Sequence, residues 1–282
     1  MGVQVPPGVL FQYLLSLPVS DQQQTPWKTY TCEEGVLYLW QAGPLKVWCK
    51  RSSLEWQLAH ELVEDEELTE HLWQSSDQEP EGLSWQKWTL SKSHENIVFR
   101  PVMSDRPLVV KTLTPTHIPA GMKAVFYVNI PLCAMIEIKK DSETTELTSF
   151  SSVTLSDTWF GSNFEGNLCY ALKTRAVRLA EDLKPQPHRA LCPIFIANKA
   201  NETLPLQKIC IRAKYLNIYS SDGPFWTNQI SVSFHGKGIP SKVYYESIPP
   251  AKLKDPVLIC KAPEHYESGF FKTLGQSFID LF

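Results

Sequence analysis

His117-Ile118-Pro119-Ala120-Gly121-Met122-Lys123-Ala124-Val125-Phe126-Tyr127-Val128-Asn129-Ile130-Pro131 decides the fold class. Pro119 to Gly121 ask for a turn, and the run after them alternates. Phe126, Val128 and Ile130 fall on one side, Val125, Tyr127 and Asn129 on the other. Pro131 cannot donate to a ladder and stops the run.

The pattern repeats outward from there. Strands are expected over 96–103, 107–113, 122–130, 132–139, 146–155, 167–175, 190–198, 206–219, 228–235 and 241–247, cut by Pro, Gly and Asn. In 229–235, Ile230, Val232 and Phe234 alternate with Ser231 and Ser233, the mark of one buried and one wet face. One exception is 174–183, where Ala176, Leu179, Ala180 and Leu183 suit a helical turn or two before Pro185. So many short strands predict a mainly β chain, with immunoglobulin-like antiparallel β-sandwiches over 96–263.

Residues 1–95 read as a small tryptophan-rich α+β unit. A hairpin is expected from 35–40 and 44–50, turning at Gln41-Ala42-Gly43. Leu54, Leu58, Leu62, Leu68 and Leu72, spaced among seven acidic residues, suit an amphipathic helix over 53–72. A strand over 83–90 closes the unit. Seven of the nine tryptophans lie here: Trp27, Trp40, Trp48, Trp56, Trp73, Trp85 and Trp88. They fill a core poor in aliphatic residues, or they form a platform for stacking sugars.

A third segment, 264–282, is an amphipathic tail. Phe270, Phe271, Leu274, Phe278 and Phe282 share a stripe of a short helix, which docks on the sandwich or binds a partner.

With 282 residues, 43% hydrophobic and 20% charged, the chain has room for two ordinary folded domains. A net charge of −3 with scattered Lys and Arg argues against nucleic acid. The charge is uneven, however. Residues 1–95 hold six Lys/Arg against fourteen Asp/Glu, and the rest hold twenty-one against sixteen. The two parts are set to attract one another or to show opposite faces to a partner. The seven cysteines include no C-x-x-C pair, and several sit in apolar runs, as at Cys133 and Cys210. They read as small hydrophobes in a reducing cytoplasm, and nothing calls for a metal or cofactor. The stretch 1–19 lacks the charge and cleavage pattern of a signal peptide and the length of a membrane span, so any membrane contact is expected to be peripheral.

No catalytic motif completes itself. His60-Glu61 begins a zinc-helix pattern, but Glu64 stands where the second histidine belongs. Gly236-Lys237-Gly238 lacks the rest of a phosphate loop and reads as a turn; no G-x-S-x-G elbow occurs. Phe160, Arg175, Arg189 and Arg212, near strand ends, are the candidate pocket residues.

Four segments in order, NIVFRPV with IPAGMKAVFYVNIPLCAMIEI, LSDTWFGSNFEGNLCYALKTRA, CPIFIANKANETLPLQKICIRAKYLNIYSS and ISVSFHGKGIPSKVYYESIPP, resemble an archaeal and bacterial family called domain of unknown function 432. The resemblance runs over about 96–263. It rests on a proline before the central strands, the pair Phe160-Gly161, a second glycine at Gly166 and an asparagine-bearing turn at 198–203. Genes of that family often neighbour those of small-conductance mechanosensitive channels. The resemblance therefore implies a non-enzymatic cytoplasmic accessory or regulator, peripheral at the inner membrane, whose protein partner is such a channel. A carbohydrate- or lipid-binding module and a hydrolase with dispersed carboxylates are the rival expectations.

Overall fold

The computed structural model describes residues 25–161, 166–221, 223–239, 241–266 and 279–280. As the alternation predicts, the chain is mainly strand. β1 (Thr29–Thr31) precedes a group made of β2 (Leu37–Ala42), β3 (Leu45–Arg51), β4 (Glu55–Leu62), β5 (His71–Ser75) and β6 (Gln86–Thr89). There follow β7 (Asn96–Val102), β8 (Leu108–Ile118), β9 (Lys123–Pro131), β10 (Cys133–Lys140), β11 (Glu143–Ser151), β12 (Ser156–Gly161), β13 (Gly166–Ala176) and β14 (Arg189–Asn198). The last group is β15 (Leu204–Ile211), β16 (Ile218–Ser220), β17 (Phe225–Thr227), β18 (Ile230–Phe234), β19 (Lys242–Tyr245), β20 (Val257–Cys260) and β21 (Ile279–Asp280).

These strands build four sheets. The first runs β5-β2-β3-β4-β6, the second β1-β7-β10-β11, the third β12-β13-β8-β15-β21, and the fourth is centred on β14. Most pairs are antiparallel, but β13 runs parallel to β8, and β14 runs parallel to both β17 and β18. The decisive stretch forms β9 and lies antiparallel along the whole of β14. Phe126, Val128 and Ile130 are buried as the alternation requires, and the opposite face is covered too. There Tyr127 packs on Val177 and Leu191, and Asn129 Nδ2 donates to the Lys184 carbonyl at 3.1 Å.

Three sequence expectations are corrected. The acidic stretch 53–72 is not a helix: Glu55–Leu62 is β4, and 63–70 is a loop. Leucines four residues apart satisfy a strand face as well as a helix face. Trp56 joins Leu58 on one side at a period of two, and partners distant in sequence decide for the strand. Pairing with β3 buries both, and His60 stacks on Phe150 of β11 at 3.8 Å. The helical turn expected in 174–183 shrinks to a 3-10 turn at Ala180–Asp182, because β13 extends to Ala176. Of the expected C-terminal helix, only Ile279–Asp280 are described, and they pair as a strand with Lys208 and Ile209 of β15.

The tryptophans are core. Trp27, Trp40, Trp48 and Trp56 are buried, and Trp73, Trp85 and Trp88 are half-buried. Trp40 stacks flat on Phe99 of β7 at 4.2 Å, Trp27 meets Trp40 edge-on, and Trp73 is sandwiched between Tyr30 and Tyr38. Trp40 Nε1 donates to the Pro26 carbonyl at 2.8 Å, and Trp27 Nε1 to the Pro187 carbonyl at 2.7 Å. One buried cluster thus runs from Trp27 through Phe99 to Tyr245.

The β2–β3 hairpin turns at Gly43-Pro44, between the paired Ala42 and Leu45. Gly43 has φ +57, and a Cβ there would lie 2.1 Å from His188 Nδ1. Its glycine is therefore fixed by turn geometry and by the imidazole pressed against it. Gly43→Ala is expected to cost about 3 kcal/mol, from strain plus overpacking. Gly35→Ala, with φ +77 but open space around it, should cost about 1 kcal/mol. Urea midpoints of the two variants test this, and equal losses would contradict the close approach.

Candidate functional site

The β14-centred sheet forks. On one edge β14 meets β9; on the other it meets β17 at Ala190 and Leu191, then β18 from Ile194 to Asn198. One arm continues from β17 to β16 and β20, the other from β18 to β19. A cleft of about 840 Å3 is lined by both arms: Tyr219 from β16, Leu258 from β20, Tyr244 and Tyr245 from β19. Tyr215, at the end of the 3-10 turn Ala213–Tyr215, and the segment 261–266 complete it.

Five tyrosines therefore converge. Tyr215, Tyr245 and Tyr266 form a triangle of rings with centroids 5.2 to 5.3 Å apart, and Tyr244 meets Tyr266 edge-on at 6.2 Å. Most polar atoms of the wall hold the wall together. Tyr245 Oη accepts from the Arg212 amide at 3.0 Å, and Tyr266 Oη donates to the Val243 carbonyl at 2.5 Å. Asn217 donates to Tyr219 Oη and accepts from the Ala262 amide. Asn228 donates to the carbonyls of Tyr215 and Glu246, buckling the arms together. Burial pushes the phenols of Tyr219, Tyr245 and Tyr266 up, so they stay protonated at neutral pH. Glu264 pairs with Lys214 at 2.8 Å, and that hydrogen bond raises the lysine.

A smaller cavity of about 220 Å3 is lined by Glu64, Glu66, Glu67, Lys173, Thr174 and Arg189. Here the opposite charges of the two parts of the chain meet. Glu66, from the acidic loop, pairs with the buried Arg189 at 3.1 Å and with Lys173 at 2.7 Å. Gln186 donates to Glu67 at 3.1 Å, and Arg189 Nε to His188 Nε2 at 3.3 Å. Burial, then the Arg189 charge, holds the His188 imidazole down to about 3. The groups lock one another, so this place is a clasp.

Of the four candidate pocket residues, Arg189 belongs to the clasp, and Arg175 is exposed on β13 opposite Lys111. Phe160 is buried with Val109, Cys169 and Cys210. Both cysteines are free, and a hydrogen bond with Cys210, aided by the Arg212 charge, holds the Cys169 thiol below its ordinary pKa. Arg212 stands beside the tyrosine cleft through its amide. The four do not gather into one pocket. The tail residues Phe270, Phe271, Leu274, Phe278 and Phe282 lie outside the described residues. The tyrosines were missed, although half of the chain's ten fall within 215–266, a clustering visible in the sequence.

Fold and cleft define a multi-sheet β protein with an aromatic cleft at a fork between strands. The chain belongs to the family described as Protein of unknown function (DUF432), whose model matches residues 26–279 and so takes in the tryptophan-rich unit. No curated protein and no solved structure matches the chain. Among the described residues no helix is long and apolar enough to cross a membrane.

Glu66→Gln leaves Arg189 buried without its counter-charge and is expected to cost about 3 kcal/mol. Adding Arg189→Met should recover at least half of that, measured by urea denaturation. His188 gives a second test. Between pH 6.5 and about 3 the unfolded chain binds a proton that the folded chain refuses. Stability from this residue is therefore lost as pH falls, by up to about 1.4 kcal/mol per pH unit. His188→Gln should flatten the dependence of stability on pH between 6 and 4.

Proposed function

We propose that this protein is a non-enzymatic binding protein that recognises a protein partner through the tyrosine cleft. The observation that carries the reading is the convergence of five tyrosines from two arms of one sheet. The wall is built for contact: its phenols stay protonated, and most of its amides and hydroxyls are engaged in architecture. Ring faces, by contrast, offer broad apolar contact with little side-chain entropy to lose.

The family resemblance directs the first search for the partner to small-conductance mechanosensitive channels, with the protein acting as an accessory at the cytoplasmic side of the inner membrane. A glycan-binding reading draws on the same ring faces, since the indoles of the first unit are packed into the core.

The test uses purified protein and a purified, detergent-solubilised channel of this type in biolayer interferometry. Binding is expected for the native chain and a loss of at least tenfold for Tyr244→Ala, at an unchanged melting temperature. No binding by the native chain, or equal binding by the variant, goes against the proposal.

A further inference from the structure

Cys169 and Cys210 stand in the third sheet, on β13 and β15, the two strands that flank β8. Cys210 lies opposite Val109, and the pairing of Tyr170 with Leu108 sets Cys169 beside Pro107. Leu108, Val110, Ile209 and Ile211 belong to the main buried cluster, so Val109 and Cys210, which alternate with them, point to the other face. There both thiols form a small buried cluster with Val109 and Phe160. The thiols touch: Cys210 donates to Cys169, which while protonated donates to the Asn167 carbonyl at 3.3 Å.

A disulfide does not suit this pair. Neighbouring strands lie about 4.8 Å apart, so with β8 between them the two backbones stand roughly 9 to 10 Å apart, beyond the roughly 7 Å that a disulfide spans. One metal ion held between two sulfurs fits the wider gap. Among the described residues no group of three or more His, Cys, Asp and Glu gathers, so they do not supply the four-ligand shell of zinc. Two thiolates in apolar surroundings select a soft cation instead. Arg212, two residues after Cys210, supplies positive charge that favours both thiolates. The hydrogen bond between the thiols holds Cys169 down and, with burial, Cys210 up, so one proton leaves readily and the second is left for a metal to displace. We infer that Cys169 and Cys210 bind one copper(I) ion between them. Both thiols lose their protons, two copper–sulfur bonds form without change of oxidation state, and the single negative charge that results lies near Arg212. Phe160 and Val109 keep water from the ion. The other thiol contact, Cys32 with Cys49, lies inside the main cluster, where burial pushes Cys49 well up.

Anaerobic titration of the reduced full chain with copper(I), in competition with the chelator bathocuproine disulfonate, tests the inference. One equivalent is expected to bind, and X-ray absorption of that complex should show two sulfur neighbours and no nitrogen or oxygen. Cys169→Ala and Cys210→Ala should each lower the affinity at least tenfold, while Cys49→Ala keeps it. Alanine at a buried position can loosen the sheet, so melting temperatures of the metal-free variants are read alongside, and the absorption spectrum of the native chain stands independently of them. Binding that survives Cys169→Ala, binding lost in Cys49→Ala instead, or three or more ligands per copper overturns the assignment. So does a native chain that leaves all of the copper with the chelator.

Discussion

Trp40 lying flat on Phe99 is the contact on which the rest of the molecule hangs. A five-stranded sheet cannot stand with a bare apolar face, and the first sheet covers its own by pressing indoles onto β7. Each indole removes about 200 Å2 from water, so the junction outweighs any single ion pair in the molecule. The indole N–H groups then fix where the chain passes. Trp40 ties Pro26, and Trp27 ties Pro187, the residue before His188 and two before the start of β14. Since β14 is the stem from which both arms fork, the aromatic junction sets the position of a cleft to which it contributes no side chain.

What was legible in the sequence follows from the same physics. A strand such as β9, with Phe126, Val128 and Ile130 in phase and Pro119 and Pro131 as brackets, is specified by its neighbours in sequence alone. Residues 53–72 were not so specified. Leucines at four-residue spacing are degenerate between helix and strand, and the tie was broken by pairing with β3 and by Phe150, ninety residues away. Local pattern can state which faces are apolar; it cannot state which distant strand will cover them.

The candidate site was harder still, because its parts come from both arms of a fork that only the sheet topology creates. Arginines near strand ends mark places where charge can be buried, and Arg189 lies at one. Its role there is to balance Glu66, whose loop is the one misread as a helix. Tyrosines at 215, 219, 244, 245 and 266 are spread over a 3-10 turn, two strands and a loop, and no short motif joins them. Only their density within some fifty positions set them apart.

The imbalance of charge between the two parts of the chain has a physical resolution that also bears on the cleft. Much of the acidic excess of the first unit lies in the loop 63–70, and its Glu66 is spent internally on Arg189 and Lys173. The clasp lies at the base of β14, whereas the cleft lies out along the arms, beyond β16 and β18. Charge neutralised at the stem cannot act at the tip, because exposed charges are screened within about 10 Å at ordinary ionic strength. At the cleft the charged wall is made separately, with Glu246, Glu264 and Lys261 lining it and Glu264 held by Lys214 at 2.8 Å. Position and charge there are set by separate parts of the chain: the aromatic junction fixes where the stem of the fork begins, and residues of the arms and of 261–266 supply the charged groups of the wall.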